Sequence, residues 1–185
     1  MSTAPAKAPV SFAQVLIPRI ETERLLLREA RTSDFDAYAE HSADPVAMKF
    51  MTGAVDRRTA WRFFMAMTGG WVLTGTGWWA IELRSTGELV GVVGNFFRET
   101  QLGPDGCLEV GWSLLQRFWR NGYATEAARA AIAWGFEHHP VRRTIAYVDA
   151  ANVASVGVCK KAGMTFDGEA SFYGEPAARY AIERP

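Results

Sequence analysis

Net charge is the first thing this sequence lacks. Twenty Lys and Arg balance twenty Asp and Glu, so no global field draws the chain toward nucleic acid or an anionic membrane, and any basic site has to be local. Cysteine is scarce as well: Cys107 and Cys159 stand alone, without a Cys-x-x-Cys pair or a His-rich partner pattern. That argues against a disulfide framework and against a metal site, and the chain reads as cytosolic. Long apolar runs are missing too. The longest candidate for a membrane span, Trp61 to Leu83, is interrupted by Arg62 and by Gly69, Gly70, Gly75 and Gly77, and reads as helix, loop and strand. The first eighteen residues hold small residues and proline but no long apolar block, and read as a flexible lead-in rather than a signal peptide. Without repeats or low-complexity tracts, residues 19–185 are expected to form one domain. A length of 185 residues with 49% hydrophobic and 22% charged side chains suits a single globular core.

What is present is concentrated in two segments. Glu109 to Ala131, EVGWSLLQRFWRNGYATEAARAA, reads as a strand, a turn holding Arg117, Arg120, Asn121 and Gly122, and an Ala-rich helix. This is an anion site in outline. The free N–H groups of a helix's first turn, here Tyr123, Ala124 and Thr125, and its positive dipole end favour a phosphate, and Gly122 lets ligand atoms approach the backbone. The second segment, Asn152 to Phe166, follows the apolar run Thr144 to Ala150, with Asn152 at a capping position and Gly163 at a helix end.

Together these segments resemble the GCN5-related N-acetyltransferase superfamily, and within it the branch of ribosomal-protein N-terminal-alanine acetyltransferases. Arg117-Phe-Trp-Arg-Asn-Gly122-Tyr-Ala-Thr-Glu-Ala127 resembles the superfamily's Gln/Arg-x-x-Gly-x-Gly/Ala signature, and Asn152-x-x-Ser155 with Lys161-Ala-Gly163-Met164 resembles its second signature. Glu23-Arg-Leu-Leu-Leu-Arg28, followed by Ser33 and Asp34, resembles the branch's opening strand and first helix, so the likeness spans Ile20 to Arg184. Arg120 departs from the pattern, standing where the first glycine is usual.

Periodicity and breakers place strands at Leu25 to Glu29, Trp78 to Arg84, Glu88 to Arg98, Cys107 to Leu115, Thr144 to Ala150 and Ala177 to Glu183. Helices are expected at Phe35 to Ser42, Arg57 to Met67, Tyr123 to His138 and Val153 to Lys161. In the third helix Ala124, Ala127, Ala128, Ala131 and Gly135 form a small-residue stripe that lets its axis lie close to a sheet. The pattern is a mixed α/β fold with helices on both faces of the sheet. The resemblance implies the finer topology: a mostly antiparallel central sheet in which the strands ending at Leu115 and Ala150 are parallel and splay apart around the pantetheine arm of acetyl-coenzyme A.

The reaction the resemblance implies is direct acetyl transfer to an amine, with no metal. Backbone amides between Phe118 and Thr125, with Arg117 and Arg120, would hold the pyrophosphate, and backbone groups of Leu114 and Leu115 would bond the pantetheine. Period-two alternation puts Glu109, Gly111, Ser113 and Leu115 on one strand face, which makes Glu109 a candidate base acting through water or a surface residue in a cross-strand pair. Cys159 stands where many members carry a proton-donating tyrosine, so Ser155 is the candidate donor to the departing sulfur, with a local backbone bond as its alternative role. Asn152 has both a capping and a cofactor-contact reading. Glu126 is explained by the helix dipole, and His41 has no visible partner. Phe50, Trp61, Trp71, Trp78, Phe96 and Phe97 fall where the resembled fold binds acceptors, although most are accounted for by the core. The acceptor amine is expected to be a protein or peptide N-terminus, with small amines, amino acids or antibiotics as the alternative, and a non-catalytic acyl-coenzyme A sensor as a third reading. Dimers are common among the proteins it resembles.

Overall fold

One eight-stranded sheet organises the chain, seen in a computed structural model that describes residues 16–97 and 106–185. In chain order the elements are β1 (Ile20–Glu21), β2 (Leu25–Arg28), α1 (Phe35–Ala43), α2 (Arg57–Thr74), β3 (Trp78–Leu83), β4 (Leu89–Phe96), β5 (Leu108–Leu114), α3 (Tyr123–His138), β6 (Arg143–Val148), α4 (Val153–Lys161), β7 (Thr165–Phe172) and β8 (Glu175–Glu183). The spatial order is β1-β2-β3-β4-β5-β6-β8-β7. Every neighbouring pair is antiparallel except β5 and β6. This is the mixed, mostly antiparallel sheet that the resemblance implies. No helix among the described residues is long and apolar enough to cross a membrane. Residues 1–15 of the expected lead-in, and Arg98 of the third expected strand, lie outside the described residues.

Alternation along β4 and β5 sorts side chains onto two faces. Val93, Val110 and Leu114 join the large cluster that also holds Ala127, Ala128, Ala131 and Phe136 of α3. The small-residue stripe does what its spacing suggests: a Cβ on Gly135 would stand 2.9 Å from a Leu108 methyl, so the helix sits against the strand through a position without a side chain. Val92 and Trp78 face the other way and pack with Phe64 and Met67 of α2 and Phe35 and Tyr38 of α1.

Three elements differ from expectation, the first being the two-residue strand β1 at the edge of the sheet, which no pattern marks. Helix α2 runs on to Thr74, where Gly75 at φ 70° closes it. Gly69 and Gly70 look like breakers, but Gly70 serves close packing, since a Cβ there would meet the Thr76 carbonyl at 2.6 Å. Strand β7 is unexpected because TFDGEASF mixes charge and glycine. It is an edge strand, where one side of the ladder needs no partner and polar residues are tolerated.

The start of α1 is pinned by a buried ion network. Arg28, only 2% exposed, forks onto Asp34 with bonds of 2.7 and 2.8 Å and donates from Nε to Glu82 of β3 at 2.5 Å. Burial by itself weakens the guanidinium's hold on its proton, but the hydrogen bonds to Asp34 and Glu82 and their charges outweigh it, so its pKa is raised. Removing one member of a buried set leaves its partners charged and dry. Arg28→Ala should therefore cost about 3–5 kcal/mol in urea unfolding, whereas a loss below about 1 kcal/mol, the range of exposed pairs, would show that the network contributes no more than a surface one.

Candidate active site

The site begins with the only parallel contact among the described strands. β5 and β6 pair through Leu108 with Thr144 and Glu109 with Ile145, and no further. Residues 110–114 and 146–148 then continue without pairing to each other, leaving a fork. Because parallel strands finish at the same edge, the helices that follow them, α3 and α4, both begin at the mouth of this fork.

Register decides which backbone groups face it. The Leu115 N–H donates to the Val90 carbonyl at 3.0 Å and the Leu115 carbonyl accepts from the Phe118 N–H at 3.0 Å. Leu115, expected to serve the pantetheine arm, is thus already engaged within the protein. Residues 112 and 114 have the opposite phase, so the N–H groups of Trp112 and Leu114 and the Trp112 carbonyl lie toward the open edge. The Leu114 carbonyl is taken by the Trp119 indole at 2.7 Å. Trp112 was missed in the sequence, where the resemblance pointed to Leu114 and Leu115; period-two alternation applied to Leu114 would have selected it.

The turn between β5 and α3 is built from two left-handed residues, Arg120 at φ 63° and Gly122 at φ 82°. A glycine takes that conformation freely, whereas Arg120 adopts it at a cost of roughly 1–2 kcal/mol. The conformation the usual glycine would supply is therefore preserved although the residue is not. Asn121 folds its amide back onto the Phe118 and Trp119 carbonyls at 3.2 and 3.0 Å. Gly122 precedes α3 without a side-chain cap, in contrast to Asp56 of α2 and Asn152 of α4, whose side chains accept a backbone N–H. The first intrahelical bond of α3 is Glu126 N–H to the Gly122 carbonyl at 3.1 Å, so the N–H groups of Tyr123, Ala124 and Thr125 point out of the helix end.

Arg24, in the turn between β1 and β2, latches this cradle. It donates to the Asn121 carbonyl at 2.9 Å, binds Glu126 through its backbone N–H at 2.9 Å and its Nε at 2.7 Å, and lies 4.7 Å above the Tyr123 ring. The Thr22 hydroxyl adds a bond to Glu126 at 2.6 Å. Burial pushes the Glu126 carboxyl up, but these hydrogen bonds and the Arg24 charge prevail and hold it below the ordinary glutamate range. Glu126 thus acts through a specific latch rather than through the helix dipole alone. Arg117 lies 4.9 Å from the Phe118 ring centre and 3.8 Å from Glu40. Arg120 is exposed.

On the other side of the fork, Asn152 caps α4 by accepting the Ser155 N–H at 3.1 Å. Ser155 is half-buried in the first turn of α4. Cys159 is fully buried in the main core and burial pushes its thiol up to about 12, so it fills volume as a protonated small side chain. Glu109 is half-buried at the crotch of the fork, its Cα level with Phe96 and Ile145.

His41 is the main surprise. It is 4% exposed, and its Nε2 stands 2.7 Å from the Ser113 hydroxyl. Alternation puts Ser113 on the same face of β5 as Glu109, toward α1 and α2. Burial lowers the imidazole's pKa, partly countered by Asp44, so the ring is neutral near pH 7. A cleft of about 520 Å³ lies beside it, lined by Glu40, His41, Asp44, Leu115, Gln116 and Arg117. Of the aromatics expected near an acceptor, Trp71 is in the core, Trp78 and Phe96 meet at 4.6 Å with their rings tilted by 55° on the α1/α2 face, and Trp61 is exposed with its ring against Phe35.

Residues 24–165 match the family model of the acetyltransferase (GNAT) domain. The Bacillus subtilis (strain 168) protein YkkB is 31% identical over 137 residues, covering 74% of this chain and 78% of its own. The uncharacterized N-acetyltransferase YnaD of the same organism is 30% identical over 151 residues, 80% of this chain and 84% of its own. Among solved structures, the acetyltransferase from Agrobacterium tumefaciens str. C58 has a TM-score of 0.78 at 31% identity, covering 97% of this chain and 100% of its own. Two more distant structures share the fold at TM-scores of 0.70 and 0.71, with 17% and 15% identity, and both hold coenzyme A. They are RimL, a ribosomal L7/L12 α-N-protein acetyltransferase, and the aminoglycoside acetyltransferase AAC(6')-Ib, and they match 90% and 87% of this chain and 98% and 94% of their own.

The latch generates a pH signature. A carboxyl whose folded pKa is depressed contributes stability above its unfolded pKa, about 4.3, and loses it as pH falls through the folded value. Glu126→Gln should lower stability by roughly 1–3 kcal/mol at pH 7, and the gap to wild type should close only in the acid range below the ordinary glutamate pKa. Urea midpoints for both proteins at several pH values check this, and a gap independent of pH down to about 2, far below the reference carboxyl value, would assign the loss to packing instead.

Proposed function

As a member of the GNAT acetyltransferase family, to which this chain belongs, the protein is an acetyl-coenzyme A dependent N-acetyltransferase, and we propose that its acceptor is the α-amino group of a protein or peptide. The observation that carries the site assignment is the fork with two helix starts at its mouth, one of them uncapped. The uncapped N–H groups of Tyr123, Ala124 and Thr125 suit a pyrophosphate, and Gly122 keeps the approach open. Arg117 and Arg120 add positive charge beside it, while Asn121 and the Arg24 latch hold the turn in shape. The open backbone edge at Trp112 and Leu114 suits an amide-bearing pantetheine arm, which would lie between β5 and β6 as an added strand. Asn152 holds the start of α4, where the Ser155 hydroxyl is placed to donate to a departing sulfur.

Bound there, acetyl-coenzyme A supplies the acetyl group as a thioester. The chain's part is to hold it, to bring an amine to the α1/α2 face of β5, and to move protons. An α-ammonium has a pKa near 8 and reaches its neutral form at pH 7 far more readily than a lysine near 10.4. Glu109, on that face, would take this first proton through water. The acceptor reading also draws on the sequence resemblance and on RimL's action on a protein α-amine. AAC(6')-Ib shows that the same fold also serves an aminoglycoside acetyltransferase.

Release of coenzyme A thiol, followed across free-N-terminal peptides, N-blocked lysine peptides and aminoglycosides, tests the acceptor. The free-N-terminal peptides should turn over at least tenfold faster, and preference for either other class would replace this reading. Within the site, binding and chemistry should separate. Gly122→Val places a branched side chain at φ 82° and should weaken coenzyme A binding by calorimetry more than tenfold in a folded protein, while Ser155→Ala should slow single-turnover transfer on the order of 10- to 1000-fold with binding kept. Wild-type binding in the first, or a normal chemical step in the second, would remove that residue from its role.

A further inference from the structure

The pair of buried His41 and half-buried Ser113 is not used by the reading above, yet it lies on the α1/α2 face of β5 to which that reading brings the acceptor. Turning an α-ammonium into an amide releases two protons, one before attack and one as the C–N bond forms. Glu109 would account for the first. We propose that Ser113 and His41 form a proton relay for the second: Ser113 Oγ takes the amine's proton while passing its own to His41 Nε2. This rests on the acetyltransferase reading of the fork.

Three observations converge on the relay. Ser113 lies between Trp112 and Leu114, whose backbone groups edge the fork, and its side chain projects to the α1/α2 face. The 2.7 Å contact with His41 Nε2 is within hydrogen-bonding range for proton transfer. Third, Nδ1 of the same ring is buried and has no partner among the described residues. A buried ring nitrogen without a partner is costly, and a histidine kept in that state at the wall of an open cleft fits a group that changes protonation in use.

The charges around the ring are few. Glu40 and Asp44 flank it in sequence, Arg117 lies across the cleft next to Glu40, and Glu109 stands four residues before Ser113 on β5. The charged residues of α2, Arg57, Arg58 and Arg62, are in its first turns, and Arg57 is paired with Asp36 toward the far end of α1. Strand β4 has none.

The balance of the step is simple. The C–N bond forms and the C–S bond breaks, and the electron pair of the latter leaves with sulfur, which takes a proton from water, directly or through the Ser155 hydroxyl, which regains its own proton from that water. The proton lost by nitrogen ends on His41, and the imidazolium returns it to water in the cleft. The relay requires the neutral ring to carry its hydrogen on Nδ1, leaving Nε2 as acceptor.

Two measurements test it. Nitrogen-15 NMR of the protein alone should show the neutral His41 ring protonated on Nδ1, with the Nε2 signal shifted in Ser113→Ala. A ring protonated on Nε2 would overturn the relay, because Nε2 could then only donate. The second is single-turnover transfer to whichever panel amine wild type uses best. Ser113→Ala and His41→Gln should each slow it by about 100-fold, with coenzyme A affinity within twofold of wild type. The double variant should be no slower than either single, and Ser113→Thr should restore part of the rate. A normal rate in folded Ser113→Ala overturns the relay even if His41→Gln fails to fold. Failure of wild type to acetylate any amine would overturn the acetyltransferase reading and the relay with it, whereas an active wild type with unaffected variants overturns the relay alone.

Discussion

The structure depends on how little β5 and β6 touch. Two paired residues at the base of each strand join the halves of the sheet, and beyond them the N–H groups of Trp112 and Leu114 and the Trp112 carbonyl lie on an edge that β6 does not satisfy. Backbone amides left open inside a core would be costly. Here the open stretch coincides with the mouth from which α3 and α4 start, so the unpaired groups and the two helix ends face one place. An extended ligand with amides along its length and phosphates at one end matches that arrangement in both chemistry and order.

The turn between β5 and α3 shows the other side of this economy. It has a non-glycine residue in a left-handed conformation at Arg120 and a helix start without a side-chain cap, both of which cost stability. The compensation comes from outside the turn. Arg24 and Thr22, from the first strand turn, converge on Glu126 and the Asn121 carbonyl. A shape that local sequence disfavours is held by contacts from about a hundred residues away, the common pattern where strain is stored at a functional site.

That separation also explains what was legible in the sequence. The turn, the Asn152 cap with Gly163 just past the end of α4 and the small-residue stripe of α3 are local patterns, and each stands where its spacing puts it. The length of α2 was hidden because Gly70 breaks helices on propensity yet is demanded by the Thr76 carbonyl beside it. Strand β7 was hidden because an edge strand need not be apolar. The engagement of Leu115 by Val90 and Phe118 depends on register, which composition does not carry. His41 and Ser113 are 72 positions apart. The packing of α1 against α2 and β4 brings its last turn over Ser113, and the Arg28 network fixes where that helix starts.

The two faces of β5 divide the labour. Even-numbered residues from Leu108 to Leu114 turn their side chains into the α3 core and their backbones toward the fork, whereas Glu109, Gly111 and Ser113 turn toward α1 and α2. A ligand lying in the fork therefore contacts main chain, which substitution can hardly alter, while an acceptor approaching from the α1/α2 side meets side chains that can vary freely. Gly111 sits between Glu109 and Ser113 with Trp78 and Phe96 above it, and a Cβ there would stand 3.4 Å from the Trp78 ring. The strand thus combines an invariant-type backbone contact with a face whose chemistry one or two residues decide. On the site proposed above, recognition of the cofactor would follow from the topology of this fold, and that of the acceptor from the few side chains carried by α1, α2 and the outward face of β5.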